Sequence, residues 1–116
     1  MKKLVYLLVA VLVVSVCFSE KAFAIGAIAY SDPDEMYGFC TGAADKTEAK
    51  LCAMKACKDH GGEGCVFRVW FDGCGAVAVS KKYFGIGWGK TKKAAETKAL
   101  NECGAGCQVA ASECEE

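Results

Sequence analysis

The chain of 116 residues contains one His, one Arg and one Pro, and its fourteen basic side chains are matched by fourteen acidic ones. Each scarcity excludes something. Zero formal charge supplies no field strong enough to hold a polyanion, so nucleic acid is not expected as a partner. With His60 as the sole imidazole and no nucleophile motif around Ser31, Ser80 or Ser112, a conventional hydrolytic site has few parts. No apolar run reaches the roughly 20 residues that span a bilayer. The longest covers residues 4–18 and is followed closely by Glu20 and Lys21.

That run reads instead as the core of an export signal. Lys2 and Lys3 precede it, and Ala22-Phe23-Ala24 fits the small-x-small pattern of a cleavage site. Cleavage is expected after Ala24, giving a signal peptide over residues 1–24 and one disulfide-stabilised domain over residues 25–116, with no stable membrane insertion afterwards. Val16 before Cys17 is branched, which argues against lipidation. Cleavage discards three Lys and one Glu, leaving eleven basic and thirteen acidic groups, a net charge of about minus two. The expected location is the periplasm or the medium.

What the sequence has in abundance is cysteine, nine in all. Loss of Cys17 leaves Cys40, Cys52, Cys57, Cys65, Cys74, Cys103, Cys107 and Cys114. An even number at this density in a short exported chain is the signature of a disulfide framework, because so small a core rarely stabilises itself. Four bridges at roughly 2 to 4 kcal/mol each would rival the whole net stability of an ordinary domain, ~5–15 kcal/mol.

The chain also repeats itself. Gly26-Ala-Ile-Ala-Tyr-Ser31 matches Gly75-Ala-Val-Ala-Val-Ser80 at an offset of 49, with four identities in six. Gly38-Phe-Cys-Thr-Gly42 answers Gly85-Ile-Gly-Trp-Gly89 at 47, Ala49, Ala53, Met54 and Cys57 answer Ala95, Ala99, Leu100 and Cys103 at 46, and Cys65 answers Cys107 at 42. Repeat one runs over about residues 26–72 and repeat two over about 75–114.

Each unit reads as strand, strand, helix, strand. In the first, residues 27–30 form a strand, Asp32-Pro33-Asp34-Glu35 a turn, and residues 36–42 the return strand. The second has strands at 76–79 and 83–88 around Lys81-Lys82. Asp45 with Glu48, and Thr91, are helix N-caps, while Gly61-Gly62 and Gly104 end the helices. Alanines at helical spacing give each helix a face of small side chains that lets a sheet approach closely, and the glycines at 85, 87 and 89 bare a strand face open to that helix, the favoured occupant, or to a ligand. Final strands follow at 65–71 and 107–111. The expected class is α+β, disulfide-rich, with the two pseudo-repeats sharing one mainly antiparallel sheet. Cys40 and Cys52 have no counterparts, so they are expected to pair; the triplets Cys57, Cys65, Cys74 and Cys103, Cys107, Cys114 are odd, so a bridge is expected to join the copies.

The paired Gly-Ala-x-Ala strands, the Ala-rich helices ending in Cys, Trp70-Phe71-Asp72-Gly73-Cys74 and Gly85-Ile86-Gly87-Trp88-Gly89 together resemble the secreted family catalogued as domain of unknown function 4189. The resemblance covers nearly all of residues 26–114. It implies bacterial export and a small disulfide-rich domain, and brings no catalytic residues with it.

Three chemistries compete with a structural role for the cysteines and acids. Cys57-x2-His60-x4-Cys65, with Cys52 a turn earlier, has ligand types suited to zinc, but oxidation removes the thiolates; no metal or other cofactor is expected. Cys103-x3-Cys107 lies at a helix end, where the dipole disfavours a reactive thiolate. The carboxylates Asp32, Asp34 and Glu35 sit in a turn where solvation explains them. The aromatic residues are more informative, because Trp, Tyr and Arg anchor interfaces. Arg68, Trp70, Tyr83 and Trp88 are therefore the candidate binding residues, although in a chain this small either Trp more often serves the core. The expectation is a non-enzymatic module for an unidentified protein partner, acting as inhibitor, immunity factor or secreted effector. The alternative is a small cell-envelope enzyme acting on glycan or peptidoglycan.

Overall fold

The computed structural model describes residues 24–115, so the expected export signal, apart from Ala24, and Cys17 lie outside the described residues. The elements follow in the order β1 (Ile25–Ser31), β2 (Met36–Ala43), α1 (Lys46–Asp59), β3 (Cys65–Phe71), β4 (Cys74–Val79), β5 (Phe84–Gly89), α2 (Lys92–Cys103) and β6 (Gln108–Cys114). Strand-strand-helix-strand thus occurs twice. Both helices start as the caps predict, the Glu48 amide donating to Asp45 at 2.8 Å and the Ala94 amide to Thr91 at 3.1 Å.

The α+β class, the antiparallel strands and the two halves agree with expectation, but the strands form two sheets where one shared sheet was expected. The orders are β2-β1-β3 and β5-β4-β6, each antiparallel and each with its own helix. The reason lies in the central strands, which are buried on both faces. In β1, Ala27 and Ala29 pack on Ala49, Ala53 and Cys57 of α1, whereas Ile28 points the other way; in β4, Ala76 and Ala78 pack on Ala95, Ala99 and Cys103 of α2, whereas Val77 points away. Ile28, Val69, Phe71, Val77 and Ala111 then form a core between the sheets. The layers run helix, sheet, sheet, helix.

Small residues set the outer spacing. A side chain at Gly85 would fall on the backbone of Ala99 and Cys103, and one at Gly38 on Ala56 and Cys57, so the glycines let each helix lie directly on its strand. Gly26 and Gly75 serve the inner layer, since a side chain on either would strike the Phe71 ring. The duplication extends to irregularities: the ladder shifts between Ile28 and Ala29 opposite β3, and between Val77 and Ala78 opposite β6.

Among the described residues there are four disulfides: Cys40–Cys52, Cys57–Cys65, Cys74–Cys114 and Cys103–Cys107. The predicted Cys40–Cys52 pair is among them. The expected bridge between copies is not, because Cys74 opens β4 and belongs to the second half, so that each half holds four cysteines and two internal bridges. Among the described residues the halves are joined covalently only by the peptide chain at Asp72 and Gly73. Burial of Ile28, Val69, Phe71 and Val77, at roughly 1.5–3 kcal/mol each, makes the seam comparable in gross terms to two or three disulfides.

Candidate functional site

The seam has two long sides. Along one, Tyr37 of β2 donates to Glu113 of β6 at 2.7 Å, and the Gly42 amide donates to Glu115 at 2.8 Å. Burial, reinforced by the acceptor Glu113, pushes the Tyr37 phenol up to about 12. This side is closed by hydrogen bonds.

Along the other side an open groove of about 550 Å³ lies beside β3 and β5. Its lining includes the continuous run 67–72 of β3 and the following turn, Ile86 and Trp88 of β5, and Lys46 at the start of α1. Trp70 is fixed by its indole N–H, which donates to the Lys46 carbonyl at 3.1 Å, and by stacking on Phe67 with ring centres 4.4 Å apart. Lys46 lies 4.9 Å from the Trp70 ring centre and Lys98 lies 3.8 Å from that of Trp88. Trp70 and Trp88 remain 36% and 47% exposed, so neither is a core residue.

Three of the four candidate residues, Arg68, Trp70 and Trp88, line this groove although they come from both halves; Tyr83 stands apart in the β4–β5 turn, 64% exposed. Arg68 is mostly covered. Its guanidinium lies over the Phe84 ring at 4.0 Å and 3.6 Å from Asp32, and its Nε is buried without a partner. Sequence reasoning missed Lys46, Phe67 and Ile86. Comparing β3 with β6 position by position exposes them in part, because the aromatics Phe67 and Trp70 stand where β6 has Val109 and Ser112.

The other candidate chemistries are occupied structurally. Cys52, Cys57 and Cys65 are all in disulfides, and His60 caps α1 with its Nδ1 3.0 Å from the Tyr37 carbonyl oxygen. Cys103 and Cys107 are bonded to each other. Asp34 accepts from the Glu63 amide at 2.8 Å and from the Ser31 hydroxyl at 2.7 Å; these bonds, the amide first, hold its carboxyl below the usual range. With Gly64 donating to Ser31, the network ties the loop before β3 to the β1–β2 turn.

A family model described as a domain of unknown function, DUF4189, matches residues 25–114. The chain belongs to this family. The NMR structure of Rv1813c from Mycobacterium tuberculosis is similar, with a TM-score of 0.57 and 27% identity, covering 83% of this chain and 78% of that one. No curated protein matches the chain. On its frame of two sheets, the groove is where this chain gathers exposed aromatic and cationic side chains.

Proposed function

We propose that this member of the DUF4189 family is an exported, non-enzymatic protein-binding module, released after cleavage following Ala24 into the periplasm or medium and acting there as an inhibitor, immunity factor or secreted effector. The observation that carries the reading is the meeting of Trp70 and Trp88, contributed by different halves and both solvent-accessible, in one groove. Exposed tryptophans beside cations form the type of patch that anchors interfaces. Four disulfides favour an oxidising compartment, and no helix among the described residues is long and apolar enough to cross a membrane. A scaffold so cross-linked has little conformational freedom to lose on binding.

Catalysis on glycan by paired carboxylates is the weaker reading, because Asp72 is the single acid among the groove-lining residues. The test is capture from periplasm or medium with the oxidised, processed protein as bait. A partner held by the wild type and lost with Trp88→Ala, at unchanged melting temperature, supports the proposal. Capture indifferent to Trp88→Ala and Trp70→Ala, or hydrolysis of peptidoglycan by the purified protein, contradicts it.

A further inference from the structure

β3 is an edge strand, and the groove runs along it: residues 67–71 of the strand and Asp72 beyond it line the cavity in sequence. Edge strands expose unpaired backbone groups, and proteins usually blunt them with lysine, proline or a covering group. Two other edges here are met by carboxylates, since the Ile86 amide of β5 donates to Glu102 at 2.8 Å and the Gly42 amide of β2 to Glu115. Among the described residues no side chain bonds to the backbone of β3, and its sequence, CVFRVWF, contains neither lysine nor proline.

The duplication supplies an internal control. Phe67 and Val109 pair with corresponding residues Ala29 and Ala78, Trp70 and Ser112 with Ala27 and Ala76, and Phe71 and Glu113 with Gly26 and Gly75. One outer strand is therefore aromatic where its counterpart is small or polar. The same stretch is also cationic. Lys46 and Lys98 flank Trp70 and Trp88, Lys50 lies 5.8 Å from the Phe67 ring centre, and Arg68 lines the wall, against Asp72 in the lining, Asp32 beside Arg68 and Glu102 on the Ile86 amide, an excess of one positive charge. The chain after residue 24 carries a net charge of about minus two, so this positive stretch stands out on an acidic body.

We propose that β3 accepts an extended, acidic peptide segment of a partner protein as an added strand. Main-chain hydrogen bonds to the free edge hold the peptide, and its two faces, presented by alternate residues, meet Trp70 with Lys46 on the helix side of the sheet and Trp88 with Lys98 on the seam side. The inference rests on the reading of the groove as a protein-binding surface and specifies what that surface takes.

The probe is a short synthetic peptide alternating glutamate with leucine, titrated into the isotopically labelled, oxidised protein. Saturable shifts of amides 66–72 and of the Trp70 and Trp88 indole signals are expected, with affinity falling as salt rises. Lys46→Glu, an exposed change, should weaken binding about tenfold or more, as should Trp88→Ala. The same peptide N-methylated at alternate amides, and a lysine–leucine peptide, should each bind at least about tenfold more weakly than the parent. Equal affinity for the N-methylated peptide overturns strand addition, and equal affinity for the lysine–leucine peptide overturns the charge assignment. Self-association through the same amides without peptide assigns the edge to a second copy and overturns the inference likewise. None of these results bears on the broader reading, which is judged by capture of a partner with the wild type and with Trp88→Ala.

Discussion

On one side of the seam Tyr37 of β2 donates a hydrogen bond to Glu113 of β6; on the other, the corresponding positions are Phe84 of β5 and Phe71 of β3. The frame at both places is the same, since the strands keep their pairing and even their ladder shifts. What differs is the filling. Where a phenol and a carboxylate meet, the sheets are tied. Among the described residues no side-chain hydrogen bond links β3 to β5; Phe84 lies under the Arg68 guanidinium, and Trp70 and Trp88 line the open groove beside them. A duplicated fold is thus constrained where helix meets strand, through alanine and glycine, and free to diverge where the copies meet solvent.

The largest effect expected is all-or-none. Cleavage of the chain at a protease site placed at Asp72-Gly73, followed by denaturation without reductant, should release two separate fragments, each retaining two bridges; persistence of one covalent species would mean that a bridge joins the halves after all.

Next comes the asymmetry among bridges. Replacing Cys74 and Cys114 by serine opens a closure of 40 residues and should cost about 4 kcal/mol, against about 2 for Cys103 and Cys107, which are 4 apart, on the chain-entropy account. Denaturant melts of the two double variants measure the difference. Phe71→Ala, which empties the seam beside Gly26 and Gly75, should cost about 3 kcal/mol, with the loss seen in both halves by amide exchange.

The closed side gives the smallest effect. Tyr37→Phe should cost about 1 kcal/mol at neutral pH. Because the folded protein raises this phenol from 10 to about 12, its contribution is whole below pH 10 and disappears as pH climbs towards 12. Alkaline destabilisation over that interval, flattened in Tyr37→Phe, is the expected signature; identical pH profiles would dissociate Tyr37 from the tie.

Much of the frame was legible. Alanines at helical spacing, glycines opposite them and the caps at Asp45 and Thr91 gave both helices their faces and starts. Cys40–Cys52 was readable because Gly87 stands where the second copy would need the first cysteine. Grouping Cys74 with Cys57 and Cys65 places it in the wrong half because only two residues separate β3 from β4, too few to mark a boundary. The second sheet was missed although Gly26-Ala-Ile-Ala-Tyr-Ser31, buried along nearly its whole length, carries the continuous apolar pattern of a strand covered on both faces. At the groove, residue type pointed to Arg68, Trp70 and Trp88. Their meeting depends on how two sheets stack, which no local pattern encodes, and Tyr83 shares their chemistry without their place.

The central claim is that β3 differs from β6 for the sake of binding and not of folding. Giving β3 its counterpart's residues, Phe67→Val with Trp70→Ser, tests it most directly in the oxidised protein. All four bridges and a cooperative melt should persist while the glutamate–leucine peptide no longer binds. A variant that fails to fold, or that folds and binds the peptide as before, contradicts the account.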